Sequence, residues 1–246
     1  MFSINIRQME QLDLAMDERF VRSAVPRLQA SHPVEAQSAT PAGLESVARL
    51  GLARARGYGL GQAVDLYIEL MLSFGSDFDT DPQYRWLWPL LQGLEGVSAL
   101  ERERLLRWHT SLYLGRINKT DGGASALERF GQLDMSTLES VGRDLPGLAS
   151  SLAAQLHPER MDYVDIEALG SLVQPARAGA AAFGPEAPVA AALLFALMFR
   201  FGHAALNDPL YPWIGEGVRE GSMDKLLNRA KSFALALAGE IREAKE

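Results

Sequence analysis

FGSDFDTDPQYRW, Phe74–Trp86, and FGHAALNDPLYPW, Phe201–Trp213, spell one pattern twice in a chain of 246 residues. Laid over each other at an offset of 127, residues 66–86 and 193–213 agree at nine of 21 positions. Average composition would give about one or two such matches. The shared letters are Leu66/Leu193, Leu70/Leu197, Met71/Met198, Phe74/Phe201, Gly75/Gly202, Asp81/Asp208, Pro82/Pro209, Tyr84/Tyr211 and Trp86/Trp213. Weaker matches flank them: His32-Pro33 with His157-Pro158 at offset 125, and Leu105-Leu106, Ser111 and Leu114 with Leu226-Leu227, Ser232 and Leu235 at offset 121. A repeat of this length predicts two units. We place them at residues 1–118 and 119–246, joined near the polar, glycine-containing Asn118–Gly123 and packed as one multi-helix bundle about a pseudo-twofold axis.

Each shared letter has a physical reason. Leu66, Leu70, Met71 and Phe74 follow the spacing of a buried helical face. Gly75 and Gly202 are expected to close their helices in the left-handed conformation. Asp81-Pro82 and Asp208-Pro209 read as N-cap and first helical residue of the next helix. Tyr84, Trp86, Tyr211 and Trp213 supply rings that pin this helix to the core. The rest of the chain also reads as helix. The expected spans are Arg7–Ala30, Thr40–Arg56 with Thr40 as N-cap, Gln62–Phe74, Tyr84–Leu91, Ser98–Leu114 and Met223–Ala244, and no hairpin pattern appears. The fold class is all-α.

Composition narrows the function classes. A hydrophobic share of 48% suits a globular chain, and a net charge of −7 argues against nucleic acid and anionic membrane surfaces. With no cysteine, disulfides, thiolate metal sites and cysteine nucleophiles are excluded. The N-terminal stretch turns acidic by Glu10 without a continuous apolar run, so no signal peptide is expected. The most apolar run, Val189–Phe199, stops at Arg200, short of the roughly 20 residues a membrane span needs, and is expected as a core helix.

Few residues suggest chemistry. Asp77, Asp79 and Asp81 imitate a calcium loop, but Pro82 and Trp88 stand where its Gly and Glu belong, so a solvated acidic turn is expected instead. Gly57-Tyr58-Gly59-Leu60-Gly61 follows a helix rather than a strand and reads as a helix-breaking turn. His32, His109, His157 and His203 have no metal-ligand spacing; His32 and His157, at helix ends, are expected to bond terminal carbonyls. No nucleophile elbow or Walker-type loop is present. These patterns imply no catalytic residue, no metal and no cofactor. If the repeated letters are architecture, interaction residues lie where the copies differ. Asp77 and Asp79 face Ala204 and Leu206, His203 faces Ser76, and Trp88 faces Gly215. Trp88 is either a core filler or an exposed anchor. Asp77, Asp79, Trp88 and His203 are the candidate partner-binding residues.

IRQMEQL (Ile6–Leu12), LYIELMLSFGSDFDTDP (Leu66–Pro82) and the Phe201–Trp213 segment resemble helical bacterial proteins associated with type VI secretion effector and adaptor gene clusters. The resemblance implies a cytoplasmic, non-enzymatic accessory protein, a co-chaperone or adaptor for an effector. The alternative is an immunity protein that neutralises a co-encoded toxin. In either case the partner is another protein.

Overall fold

The computed structural model describes residues 6–93, 95–118 and 121–244. Met1–Asn5 of the N-terminal stretch and Lys119-Thr120 of the expected join lie outside them. The described residues form helices α1 (Ile6–Ser31), α2 (Pro33–Ser38), α3 (Thr40–Gly57), α4 (Val64–Phe74), α5 (Trp88–Gln92), α6 (Ala99–Ile117), α7 (Ala124–Gly131), α8 (Met135–Gly142), α9 (Leu145–Leu156), α10 (Ile166–Ala180), α11 (Ala187–Phe201), α12 (Pro212–Glu220) and α13 (Met223–Glu243). Short 3-10 turns cover Pro82–Leu87, Pro158–Arg160 and Ala181–Glu186. No strand occurs among the described residues, and the fold is all-α.

Local chemistry sets many of the helix starts. Ser98 and Glu101 form a reciprocal capping box ahead of α6. Asp134, Asp144 and Asp165 accept the backbone amides of Thr137, Gly147 and Ala168. Thr40 departs from its expected place: Ala39 is the N-cap and Thr40 adopts a positive φ of 58°. Its hydroxyl still accepts the Gly43 amide at 3.2 Å, so the capping chemistry survives one position on.

α11 is the axis of the core. Ala190 through Phe199 are all buried, and α11 packs against α8, α9, α10 and α13. The stretch Ile166–Phe201 contains an apolar window as long as a membrane span, but it comprises two helices packed on each other, with 61% of the window buried. One continuous hydrophobic cluster joins α3, α4 and α6 to α7–α11 and α13.

The repeated letters meet where the chain ends of α4 and α11 cross. Gly75 (φ 98°, ψ 156°) and Gly202 (φ 102°, ψ 154°) do not take the left-handed helical conformation expected of them. Positive φ with extended ψ is a region open essentially to glycine alone. The crossing demands it. A Cβ on Gly75 would stand 2.3 Å from the Phe201 carbonyl oxygen, and one on Gly202 would stand 2.8 Å from that of Phe74.

The two aspartates lock this crossing. One oxygen of Asp81 accepts the Gln83 amide at 2.9 Å, while the other reaches across to the His203 amide at 2.7 Å. Asp208 likewise accepts the Leu210 amide at 2.8 Å and crosses to the Ser76 amide at 2.7 Å. The expected N-cap role holds for Asp81 at the 3-10 turn. It fails for Asp208, because α12 starts only at Pro212 with Tyr211 as its N-cap.

Matching ring clusters flank the crossing. Phe74 lies 4.6 Å from Tyr84 and edge-on to Trp86 and Tyr113. Phe201 lies 4.8 Å from Tyr211 and edge-on to Trp213 and Phe233. Tyr113 and Phe233 are 120 residues apart, so the last helices correspond one residue short of the expected offset of 121. Buried Leu106 and Leu226, and Ile117 and Leu237, agree with 120.

The crossing predicts a sharp glycine dependence. Gly75→Ala and Gly202→Ala should each cost about 3 kcal/mol or more by urea denaturation, combining backbone strain with a steric clash. Gly170→Ala, on an exposed position of α10 with open space at its Cβ, should stabilise by about 0.5–1 kcal/mol.

Candidate functional site

The acidic turn after α4 is not a solvated loop. Arg54, in the last turn of α3, pairs with Asp77, bonds Asp79 at 3.0 Å and donates to the Ser76 carbonyl at 2.9 Å. Tyr58 donates to the second Asp79 oxygen at 3.1 Å, and Asp79 is buried. A single arginine thus converts the D-x-D spelling into a clamp between α3 and the crossing. Among the described residues no group of three or more His, Asp or Glu side chains is placed to hold a metal ion.

His203 sits at the same crossing. Burial opposes its protonation, but the Asp81 carboxylate 3.5 Å from Nδ1, with Asp77 and Asp79 beyond, outweighs burial and raises its pKa. Asp208 is pushed up to about 6 by burial, against the two amides it accepts. The structure therefore brings Asp77, Asp79 and His203 to one locus. Trp88 lies apart, partly buried at the start of α5, with the Arg85 guanidinium 6.0 Å from its ring.

A different tryptophan is the exposed one. Trp108 is 60% exposed on α6. It shares a stripe with half-buried Leu105 and with Leu112. Steps of three and four residues keep these side chains on one helix face. The corresponding positions of α13, at offset 120, are Lys225, Asn228 and Ser232.

A second apolar stripe comes from unequal helix lengths. α1 packs on α3 and is tied to it by Asp17–Arg56 and Glu18–Arg49 pairs. α3 stops at Gly57, so the first ten or so residues of α1 run on for about 15 Å without it. There Met9, Leu12, Leu14 and Met16 are each more than half exposed. Sequence reasoning missed both stripes. Their signal was in the letters, as three-and-four spacing of apolar residues that on α6 has no apolar match in the other copy, but burial alone distinguishes such a stripe from core.

Between the two halves lies a cavity of about 300 Å³. Residues paired by the sequence repeat line it together: His32 with His157, Glu35 with Arg160, and Ser73 with Arg200. Arg160 is 2% exposed and donates to the Phe199 carbonyl, Gln83 and the Tyr84 hydroxyl. Its guanidinium also lies 4.6 Å from the Phe199 ring. Two expectations for the histidines separate here. His157 Nε2 meets the Ile117 carbonyl, the last of α6, at 3.1 Å, as a helix-end histidine should. His32 instead bonds the Ser31 hydroxyl at 2.8 Å through Nδ1. Burial, then the Arg160 and Arg200 charges, hold His157 at about 3, so its ring is neutral. A neutral ring has one N–H, and a carbonyl only accepts, so the proton is on Nε2 and Nδ1 is a bare acceptor.

No family model matches the chain, and no curated protein or solved structure matches it either.

The neutral His157 makes stability fall on acidification. Its pKa is about 3 folded, against an ordinary 6.5. As pH falls through that window the unfolded chain gains a proton that the folded chain does not. Asp208 acts oppositely: its folded value of about 6 exceeds the ordinary 3.8, so its contribution is lost as pH rises between them. His157→Gln keeps a donor for Ile117 and removes only the first effect. Between about pH 6 and pH 4, wild type should lose up to about 1.4 kcal/mol per pH unit more than the variant in urea denaturation.

Proposed function

We propose that this is a non-enzymatic protein-binding accessory factor, a cytoplasmic co-chaperone or adaptor for a type VI secretion effector. The observation that carries the binding role is the exposed pair of Trp108 and Leu112 on α6, flanked by half-buried Leu105. Large apolar side chains, tryptophan above all, dominate the energetics of protein interfaces. A helix exposing them at this spacing fits a partner helix or groove. The α1 arm, with Met9, Leu12 and Met16 on one face, offers a second surface of the same kind. The effector assignment rests on the sequence resemblance. A net charge of −7 supports the alternative of an immunity protein, since an acidic surface steers a basic toxin.

We also propose that the chain is a tandem duplication packed about a pseudo-twofold axis. The reciprocal Asp81–His203 and Asp208–Ser76 bonds and the paired ring clusters support this reading. A crystal structure in which Phe74–Trp86 and its flanking helices fail to superpose on Phe201–Trp213 and theirs would refute it.

Affinity purification from the native bacterium, with mass spectrometry, tests the binding role. An effector recovered with a spike-associated adaptor supports the loading reading, and a toxin whose toxicity this chain alone suppresses supports immunity. Trp108→Glu combined with Leu112→Glu should abolish recovery of the partner. Because both side chains are exposed, the melting temperature should stay within about 2 °C of wild type. Undiminished recovery by this variant would remove α6 from the interface.

A further inference from the structure

The polar contents of the cavity between the halves are unequal. Where one wall has Ser73, the other has Arg200, and where one has Glu35, the other has Arg160. Neither arginine has a carboxylate within ion-pairing distance among the described residues, and the Arg200 guanidinium has no hydrogen bond there, only the face of the Phe201 ring 5.5 Å away. Burying a charge without a partner is costly, and proteins keep such charges where something else neutralises them. Arg200 sits deep in the protein yet retains accessible surface, as a side chain facing a cavity should. Burial and then the neighbouring Arg160 charge lower its pKa, which places the two cations close enough to repel.

Glu35 and Glu240 line the same cavity, and Glu35 attracts Arg200 across it, but among the described residues neither carboxylate forms an ion pair with either arginine. Glu240 spends one oxygen on the Val34 amide at 2.9 Å. Glu35 is buried, with one oxygen unpartnered; burial raises its pKa, and the Arg200 charge works against that rise. His157 is neutral. Arg200 therefore lines the cavity with its guanidinium donors uncommitted, and Arg160 adds a second charge while its own donors remain committed to Phe199, Gln83 and Tyr84.

We propose that this cavity is a binding site for a small oxyanion, a molecule whose carboxylate or phosphate head is held by Arg200 with Arg160 behind it. Guanidinium forks match both head groups. A volume of about 300 Å³ lies at the lower edge of ligand pockets and leaves room for a compact body beyond the head. Because residues from both halves line the cavity, an occupant would also strengthen their contact. The site is independent of the apolar stripes on α6 and α1.

The test uses the full chain with inorganic phosphate and with acetate, each titrated against sodium chloride of matched ionic strength. Calorimetry gives the affinity, and the Arg200 Nε–Hε signal in arginine-labelled protein gives the location. Saturable binding of one probe, with a shifted Arg200 signal and an affinity at least about tenfold weaker in Arg200→Gln, is the expected result. The probe that saturates identifies the head group. Arg200→Gln removes an unpaired buried charge and should fold; the labelled wild-type signal reports binding even if it does not. Failure of both probes to saturate, or a saturating probe that leaves the Arg200 signal unmoved, would overturn the proposal.

Discussion

The contact at Gly75 and Gly202 is the constraint on which the rest of this structure depends. Two backbones approach so closely that neither residue has space for a Cβ, and both adopt a conformation that only glycine reaches cheaply. Such proximity would strand backbone amides in the core. Asp81 and Asp208 prevent this by each satisfying one local amide and one amide across the crossing. A buried carboxylate is expensive unless it is fully hydrogen-bonded, and these two are held by backbone donors whose positions the crossing itself fixes. The F-G…D-P spelling is therefore a single device written in two places.

Much else follows from that point. The rings of Phe74 and Phe201 end their helices beside the crossing, and Tyr84, Trp86, Tyr211 and Trp213 close around them. Arg54 anchors the turn after α4 through Asp77, Asp79 and the Ser76 carbonyl, tying α3 to the same locus. Beside this locus the halves leave a gap, and that gap is lined by residues that the repeat pairs but whose charges differ. Architecture and the place available for a ligand thus have a common origin: the repeated letters hold the walls, and the unrepeated ones give them their chemistry.

The surfaces follow a different logic. α1 overhangs because it is longer than the helix it packs on, and α6 exposes an apolar stripe where α13 carries polar residues. The exposed parts of these Met, Leu and Trp side chains contribute no burial to the isolated chain.

The sequence by itself determined the all-α class, the spans of α1, α3, α4, α6 and α13, the core face of α4 and α11, and the importance of the two repeated segments. These are local properties: periodicity, caps and helix breakers act over a few residues and are written in consecutive letters. It misread what depends on distance through space. Gly75 and Gly202 close their helices as expected but not in the left-handed conformation, Asp208 is not the N-cap of α12, Asp77 and Asp79 are clamped rather than solvated, and Trp108 is not among the expected anchors. Only tertiary structure placed a carbonyl against each glycine, Arg54 against the aspartates, and Arg160 and Arg200 beside one cavity. Pairing, burial and electrostatic environment are set by neighbours distant in sequence, 23 residues for Arg54 and Asp77 and 132 for Asp208 and Ser76, beyond the few residues over which periodicity and caps are read.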